Sequence, residues 1–403
     1  MTKTNLVYLI MISLLLLTNN RIPFHDSLVM IAASDTYSYL AIAKSCPELP
    51  SEKMSFHHAQ RFVLPYVIGY IHRITGVSIE SLFYYSVLIS VLLLVFVIHN
   101  ILDQLKVDGI NKFFSISLII FNPYFFRFYL TFPGYGNDLA FNLGLSIVFL
   151  SLINSKIYIL FIGILLCSIT RQTAIMIIIP TAVWILKFWR HKNLIKFVVI
   201  SSFSLIIISC YLTTGMIASL FAFQNRNLEH ITGIFFWLLN DFNLTVLIKF
   251  ICRGIIPFTM PLALYIGIII TDKDRKNHFK QSKILWMFIC FFIFLIVQPI
   301  MAGPEITGGN IQRLCLPALL PLIIILSVIS NKGMVKLNLN HNFQLLMLIE
   351  LLIFSGSFHH LYSFYQPAPN QTLYFGLFYM FASCLIFLTM IYITRFSFDI
   401  NSS

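Results

Sequence analysis

The sequence predicts an all-α fold, a polytopic transmembrane helical bundle of about 12 spans, and two observations support this. Of the 403 residues, 58% are hydrophobic and only 10% are charged, with a mean hydropathy of +0.86. A soluble domain carries about 25% charged residues, so most of this chain must lie where charge is unfavourable. Apolar runs also recur from Leu6 to Thr394 between short polar breaks. Such runs approach the roughly 17–25 residues that cross a bilayer, where the backbone must pair internally as a helix.

The predicted spans differ in length. Three of them, 138–153, 157–170 and 174–189, fall short of full spanning length, so we expect one to be broken or re-entrant. The first, 6–19, is predicted to be an uncleaved span, because no small-residue cleavage site follows it promptly. The chain, 1–403, is predicted to form a single integral-membrane domain. The remaining spans are 81–102, 113–131, 197–216, 253–271, 284–302, 314–330, 342–356 and 372–394.

Lysine and arginine residues predict the orientation. With Met1–Asn5 inside the cell and each span reversing the side, the densest basic cluster, at 273–283, falls in the cytoplasm. This agrees with the excess of Lys and Arg in short cytoplasmic loops. The net charge of +12 is spread over such loops and forms no basic domain, so no nucleic-acid partner is expected. The predicted location is a bacterial inner (plasma) membrane, crossed many times, with a cytoplasmic N-terminus and membrane lipids as neighbours.

Two outward loops are long, 20–80 and 217–252, and the first is by far the longer. Its residues 34–45 predict a short helix with Asp35 at the start, where an acid often serves only as a cap. Residues 60–75 predict a second, interfacial helix, with Pro65 in its first turn and Gly76 as its stop. The first loop is therefore expected to carry two juxtamembrane helices.

Arginines on the outward side are the main functional signal. Arg127, Arg171, Arg253 and Arg313 fall at or just inside span ends, and Arg61 lies in the first loop. A guanidinium at that depth either extends to the lipid headgroups or faces a cavity. Because its planar fork suits phosphate oxygens, we expect an outward-opening pocket for a lipid-linked phosphate or pyrophosphate.

An ordered set of segments carries a family resemblance. A first span, a long outward loop with an early acid and two juxtamembrane helices, and then many short-looped spans resemble the GT-C superfamily of polyprenyl-phosphate-sugar-dependent membrane glycosyltransferases. The likeness covers roughly residues 1–190 and, more weakly, 300–330. The segments are Asp35-Thr-Tyr-Ser-Tyr-Leu-Ala-Ile-Ala, Arg61-Phe-Val-Leu-Pro, Pro133-Gly-Tyr-Gly-Asn-Asp138-Leu-Ala, Arg171-Gln-Thr-Ala and Gln312-Arg313-Leu-Cys-Leu-Pro.

The resemblance implies roles for matching residues. Asp35 would be the general base or would position a metal or the acceptor, and Asp138 would be a second catalytic carboxylate. Arg61, Arg171 and Arg313 would contact the phosphate of a polyprenyl-phosphate sugar donor. The acceptor would be a glycan or lipid of the cell envelope. The paired acids of many family members are absent around Asp35, so no metal or other cofactor is predicted. From position alone, Arg127 and Arg253 are further candidates for substrate binding, and Tyr135 is a candidate for lining the sugar site.

Two other functions use similar features. An O-antigen or polysaccharide polymerase also joins lipid-linked units on the outward face, but such proteins usually place their arginines in large mid-chain loops. A transporter or lipid-linked sugar flippase often shows internal repeats and charges near mid-membrane. No convincing repeat is present here, and Glu350 is the only acid deep within a predicted span.

Overall fold

The computed structural model describes residues 3–19, 21–25, 35–223, 229–271, 283–307, 310–336, 381–386 and 388–389. Within these ranges the chain is helical and contains no strand, apart from an isolated bridge between Met54 and Ala222. The predicted all-α class is therefore confirmed for the described part of the chain.

The helices fall into two groups along the chain. Those of the first half are α1 (Lys3–Leu17), α2 (Asp35–Ser45), α3 (Phe56–Ala59), α4 (Val63–Thr75), α5 (Ile79–Gln104), α6 (Gly109–Ile120), α7 (Phe126–Thr131), α8 (Gly136–Asn154) and α9 (Ile157–Thr170). Those of the second half are α10 (Ile178–Phe188), α11 (Asn193–Ala218), α12 (Glu229–Asn240), α13 (Leu244–Ile255), α14 (Thr259–Thr271), α15 (Lys283–Thr307), α16 (Ile311–Cys315) and α17 (Leu319–Lys336). Short 3₁₀ turns precede α8, α10, α14 and α17.

The protein is a multi-pass membrane protein. Six helical segments of the described chain are long and apolar enough to cross a bilayer, and four shorter helices are also apolar. The six are Ile79–Gln104, Pro133–Asn154, Asn193–Ala218, Leu244–Ile266, Ile284–Pro304 and Ile311–Asn331. The four are Leu6–Leu17, Gly109–Ile120, Ile157–Thr170 and Gln172–Phe188.

The count of twelve spans stays a prediction. Each of the first ten predicted spans has an apolar helix at its position, although several of these helices are short. The predicted span 342–356 lies outside the described residues. Of 372–394, only 381–386 and 388–389 are described, and they are helical.

The predicted span 113–131 is interrupted. Helix α6 ends at Ile120, and Pro123, which has no N–H and disfavours helix in the residue before it, separates α6 from α7. Asn122 stabilises the break, since its Oδ1 accepts from the Tyr124 N–H at 3.0 Å. Its Nδ2 donates to the Pro257 carbonyl at 2.9 Å.

The predicted loop 217–252 contains two helices, α12 and α13, and the second is continuous with a span that we expected to begin at 253. Lys249 and Arg253 interrupt the apolar pattern, so the sequence does not show where this span begins. Helix α13 is amphipathic, with apolar side chains such as Leu244 and Ile248 exposed along it while Phe250 is buried.

The described part of the first loop contains the two helices predicted from the sequence. Helix α2 begins at Asp35, and α4 covers the predicted second helix and ends at Gly76 in the left-handed conformation, with φ of 70°. The loop helices and the end of α11 share a small apolar core of their own, which includes Tyr39, Phe56 and Phe221. Backbone hydrogen bonds between Met54 and residues 221 and 223 join the loop to the end of α11.

Two glycines let α2 pack closely on its neighbours. A Cβ at Gly69 of α4 would lie 2.1 Å from the Ala43 carbonyl oxygen of α2. A Cβ at Gly134, in the turn before α8, would lie 2.3 Å from Oγ1 of Thr36. Only glycine fits such close approaches, so α2 is held between α4 and a membrane helix with Asp35 facing the bundle.

Candidate active site

Asp35 is the centre of a cluster of cationic side chains. Arg313 Nη2 of α16 donates to Asp35 Oδ2 at 3.0 Å, and Arg61 Nη1 lies 3.9 Å from the same oxygen. His58 Nε2 of α3 lies 3.2 Å from Oδ1. The first loop and α16, far apart in sequence, therefore meet at one carboxylate.

The charge state of Asp35 follows from this cluster. Its side chain is 6% exposed, and burial alone would raise the pKa of the carboxyl. The nearby charge of Arg313, the hydrogen bond from His58 and the charge of Arg61 outweigh burial and hold the pKa of Asp35 well below its usual range. Asp35 is thus an ionised carboxylate at neutral pH.

Asp138 is a counter-ion of two of the arginines, Arg171 and Arg313. Its carboxylate is 1% exposed, with Oδ1 at 3.5 Å from Arg171 Nε and Oδ2 at 3.4 Å from Arg313 Nε. Arg313 therefore bridges Asp35 and Asp138. The ring of Tyr135 lies under the same guanidinium, 4.0 Å from its central carbon, as a cation–π partner.

A cavity of about 480 Å³ opens beside this cluster. Polar and apolar side chains both line it, and we call these two sets the polar wall and the apolar wall. The polar wall includes Asp35, His57, His58, Gln60, Arg61, Arg171, Gln172 and Arg313, and the apolar wall includes Ile175, Met176, Val297, Met301 and Leu314. Pockets of roughly 300–1,000 Å³ enclose a drug-sized ligand, so the space suits a small molecule with one charged and one apolar end.

Two guanidinium groups carry N–H donors that no described group accepts. Nη1 of Arg171 and Nη1 of Arg313 are buried and have no hydrogen-bond partner among the described residues. Arg61 is more fully engaged, because its Nε donates to Gln172 Oε1 at 3.1 Å and its Nη1 donates to Tyr39 Oη at 3.4 Å. Arg171 and Arg313 therefore keep N–H donors that no described residue occupies.

The charges within the cluster do not balance. The guanidinium groups of Arg61, Arg171 and Arg313 face the carboxylates of Asp35 and Asp138, which leaves one excess positive charge among the described side chains. A buried charge without a counter-ion is unfavourable. The arrangement therefore favours an anionic ligand.

Of the eight residues predicted for the site, the cavity lining contains Asp35, Arg61, Arg171 and Arg313. Asp138 and Tyr135 lie behind that lining, in contact with the arginines. The other two predicted residues lie elsewhere, and both were named for substrate binding on position alone.

Arg127 contacts the end of α1. Its Nη1 donates to the Thr18 carbonyl at 2.7 Å and its Nη2 to Thr18 Oγ1 at 2.9 Å, while the whole residue is 1% exposed. Arg253 lies on α13 and is partly exposed. Neither residue lines the cavity.

Sequence reasoning missed the contribution of His58, Gln172 and Tyr39. His58 was one of two adjacent histidines in a loop, a pattern that is usually solvated, and nothing nearby distinguished it. Gln172 directly follows Arg171 and contacts Arg61, while its Nε2 donates to the His57 carbonyl at 3.3 Å. Among the described residues, no group of three or more His, Cys, Asp or Glu side chains is placed to hold a metal ion.

No protein-family model, no curated protein sequence and no solved structure matches this chain. What the protein does must therefore be inferred from the charge, shape and chemistry of the cavity.

Proposed function

We propose that this protein is a membrane glycosyltransferase of the GT-C type. It moves a sugar from a polyprenyl-phosphate donor to a glycan or lipid acceptor of the cell envelope. The observation that carries the proposal is a pair of buried N–H groups, on Arg171 and Arg313, that have no partner among the described residues and lie beside an ionised Asp35 at one cavity. A buried donor without a partner costs about 1–3 kcal/mol and more when charged, so two of them favour a site made for an anion.

The apolar wall supports a lipid-linked donor. A free nucleotide sugar has no apolar end to contact Ile175, Met176 and Val297, whereas a polyprenyl phosphate does. Ile175 and Val297 are each 42% exposed, which leaves apolar surface beside the arginines for a lipid chain. A lipid phosphate can therefore reach the arginines while its chain stays among apolar groups.

The position of basic residues supports a periplasmic cavity. The segment 273–283 leads into the start of α15, whereas the cavity is lined by Val297 and later residues at the opposite end of that helix. Lys106 lies at the same end as the start of α15, away from the cavity. Its carbonyl accepts a hydrogen bond from Asn331 near the end of α17. By the positive-inside rule the basic end is cytoplasmic, so the cavity opens to the periplasm of a bacterial inner membrane.

The proposed chemistry is an inverting transfer. The acceptor oxygen attacks the anomeric carbon, the bond from that carbon to the phosphate oxygen breaks, and the hydroxyl proton goes to Asp35. The polyprenyl phosphate leaves as an anion that Arg171 and Arg313 stabilise. No nucleotide takes part.

Donor binding would also activate the base. Asp35 alone is a weak base, because Arg313 holds the pKa of its carboxyl low. A bound phosphate places a third anion beside Arg313, in addition to Asp35 and Asp138, and its negative charge disfavours the ionised form of Asp35. The base becomes stronger only when the donor is present.

The first test is binding of polyprenyl phosphate to the purified protein in nanodiscs. Arg171→Gln and Arg313→Gln should each weaken binding at least tenfold, the scale of a lost charge-assisted hydrogen bond of about 1.5–3 kcal/mol. Arg73→Gln is the matched control, since Arg73 is exposed on α4 and the substitution removes the same charge. Equal affinities for Arg73→Gln and the two cavity variants would rule out the anion site.

The second test distinguishes the three candidate functions, which are transferase, polymerase and flippase. The purified protein is given polyprenyl-phosphate sugars and small glycan or lipid acceptors, and free polyprenyl phosphate is measured as the product. Single-sugar transfer supports the transferase. Products that grow by whole repeat units would support a polymerase instead, and movement of the intact donor across vesicles without transfer would support a flippase.

A further inference from the structure

His58 contacts two side chains of one helix through its two ring nitrogens. Its Nε2 lies 3.2 Å from Asp35 Oδ1, and its Nδ1 lies 3.0 Å from Ser38 Oγ. Asp35 and Ser38 are three residues apart on α2, so they face the same side of that helix. The imidazole, on α3, is thus fixed at both ring nitrogens.

In the neutral form of the imidazole, these two partners determine the tautomer. An ionised carboxylate only accepts hydrogen bonds, so Nε2 must carry the hydrogen that is donated to Asp35. Nδ1 then has a lone pair and accepts from the Ser38 hydroxyl. Ser38 therefore keeps the ring in the form that donates to Asp35.

The two oxygens of Asp35 differ in their remaining capacity. Oδ2 accepts from Arg313 and also faces Arg61, whereas His58 is the partner that the structure gives Oδ1 among the described residues. A carboxylate oxygen has two lone-pair sites, so Oδ1 keeps one available. Asp35 and His58 both line the cavity, which puts this free lone pair within reach of a ligand.

We propose that His58 is the positioning residue that holds Asp35 Oδ1 toward the acceptor hydroxyl, with Ser38 fixing the tautomer of His58. This inference rests on the proposed transferase function and names the atom that takes the proton. The hydrogen on Nε2 stays on His58, and the acceptor proton goes to the free lone pair of Oδ1.

A nucleophilic Ser–His–Asp triad does not fit the same residues. Ser38 does not line the cavity, so its hydroxyl has no substrate to attack there. A metal site does not fit either, because both ring nitrogens of His58 already have partners. The hydrogen bonds instead form a chain that ends at Asp35.

The experiment compares His58→Ala, His58→Gln and Ser38→Ala in the transfer assay, with binding of polyprenyl phosphate measured in parallel. His58→Ala should lower kcat about 100-fold, the effect of a misplaced reacting group, while the KM for the donor and the affinity for polyprenyl phosphate change less than about twofold. His58→Gln keeps an N–H donor and should recover about tenfold of that loss. Ser38→Ala should lower kcat by about threefold to tenfold.

His25→Ala is the control, because His25 is an exposed histidine of the same loop. Thermal melting of each variant in detergent identifies any that fail to fold, and His58→Gln is the conservative variant if His58→Ala is among them. A folded His58 variant with the kcat of wild type would overturn the inference, as would a change in donor KM alone. If Gln and Ala lose activity equally in folded protein, positioning by a single N–H donor is also rejected. A wild-type protein that transfers no sugar would instead reject the transferase function itself.

Discussion

Arg313 donates to Asp35 at 3.0 Å although the two residues are 278 positions apart in the sequence. The same guanidinium lies 3.4 Å from Asp138, so one arginine joins a carboxylate of the first loop to one at the start of a membrane helix. Asp35 and Asp138 are therefore not equivalent acids. Asp35 reaches the cavity, whereas Asp138 holds the arginines in place.

Asp35→Asn should reduce transfer by at least about 100-fold, the lower range for loss of a general base. The amide cannot accept the acceptor proton, but it still fills the space between Arg313 and His58. Membrane insertion and expression should not change. The measurement is kcat for purified protein with saturating donor, and an active, normally expressed Asp35→Asn would remove Asp35 from the mechanism.

Asp138→Asn should affect binding and stability more than the chemical step. It removes the counter-charge behind Arg171 and Arg313, and breaking a buried ion pair costs about 3–5 kcal/mol. We expect a lower melting temperature and an increase of about tenfold or more in donor KM. If Asp138→Asn instead keeps wild-type donor binding and loses only kcat, Asp138 takes part in the chemistry directly.

Gly134→Ala should displace the start of α2. The added methyl group would meet Oγ1, Cγ2 and Cβ of Thr36, all within 2.8 Å, and Thr36 is a stiff β-branched residue. Overpacking of this kind costs about 1–3 kcal/mol and would shift Asp35 from its partners. Activity should fall at least tenfold, whereas Gly109→Ala, with no atom within 4 Å of its Cβ, should retain activity.

Arg127→Gln should lower thermal stability and leave donor affinity within about twofold. The substitution removes charge-assisted hydrogen bonds to Thr18 at the end of α1, each worth about 1.5–3 kcal/mol. Its contrast with Arg171→Gln distinguishes an arginine that supports the fold from one that binds the ligand. A selective loss of polyprenyl phosphate binding by folded Arg127→Gln would restore the sequence-based role.

Protonation of Asp35 at low pH should lower the stability of the folded protein. Because its pKa is lower in the folded protein than the usual value of about 3.9, its ionised form stabilises the fold fully above that value. This contribution is lost only as the pH falls through the lower folded pKa. The difference in melting temperature between wild type and Asp35→Asn should therefore shrink as the pH falls below about 4.

Local features of the site were predictable, and contacts across the chain were not. Asp35 at a helix start, Pro65 in a first turn and the stop at Gly76 act over a few residues, and they placed α2 and α4 correctly. The arginines were recognisable because charge is rare in apolar runs. The position of Arg127 against Thr18 depends on tertiary packing, and so does its distance from the cavity.

The predicted bounds of two spans, 113–131 and 253–271, were wrong, because single residues in them act locally. Pro123 divides an apolar run that hydropathy treats as continuous, and Lys249 hides the first turns of a helix that continues into a span. His58 shows the same limit at the site. The residues next to His58 in the sequence do not indicate a role for it. Its contacts with Ser38 and Asp35 form only once the loop has folded.

The cavity is assembled from distant parts of one chain. Its carboxylate comes from residue 35, Arg171 from the middle, and Val297 and Arg313 from α15 and α16. An N-terminal fragment ending near residue 190 would carry Asp35, Asp138 and Arg171, yet it would leave both acids without Arg313 and the apolar wall without Val297, Met301 and Leu314. Such a fragment would be inert alone, and activity would return only if the separately expressed remainder associated with it in the same membrane.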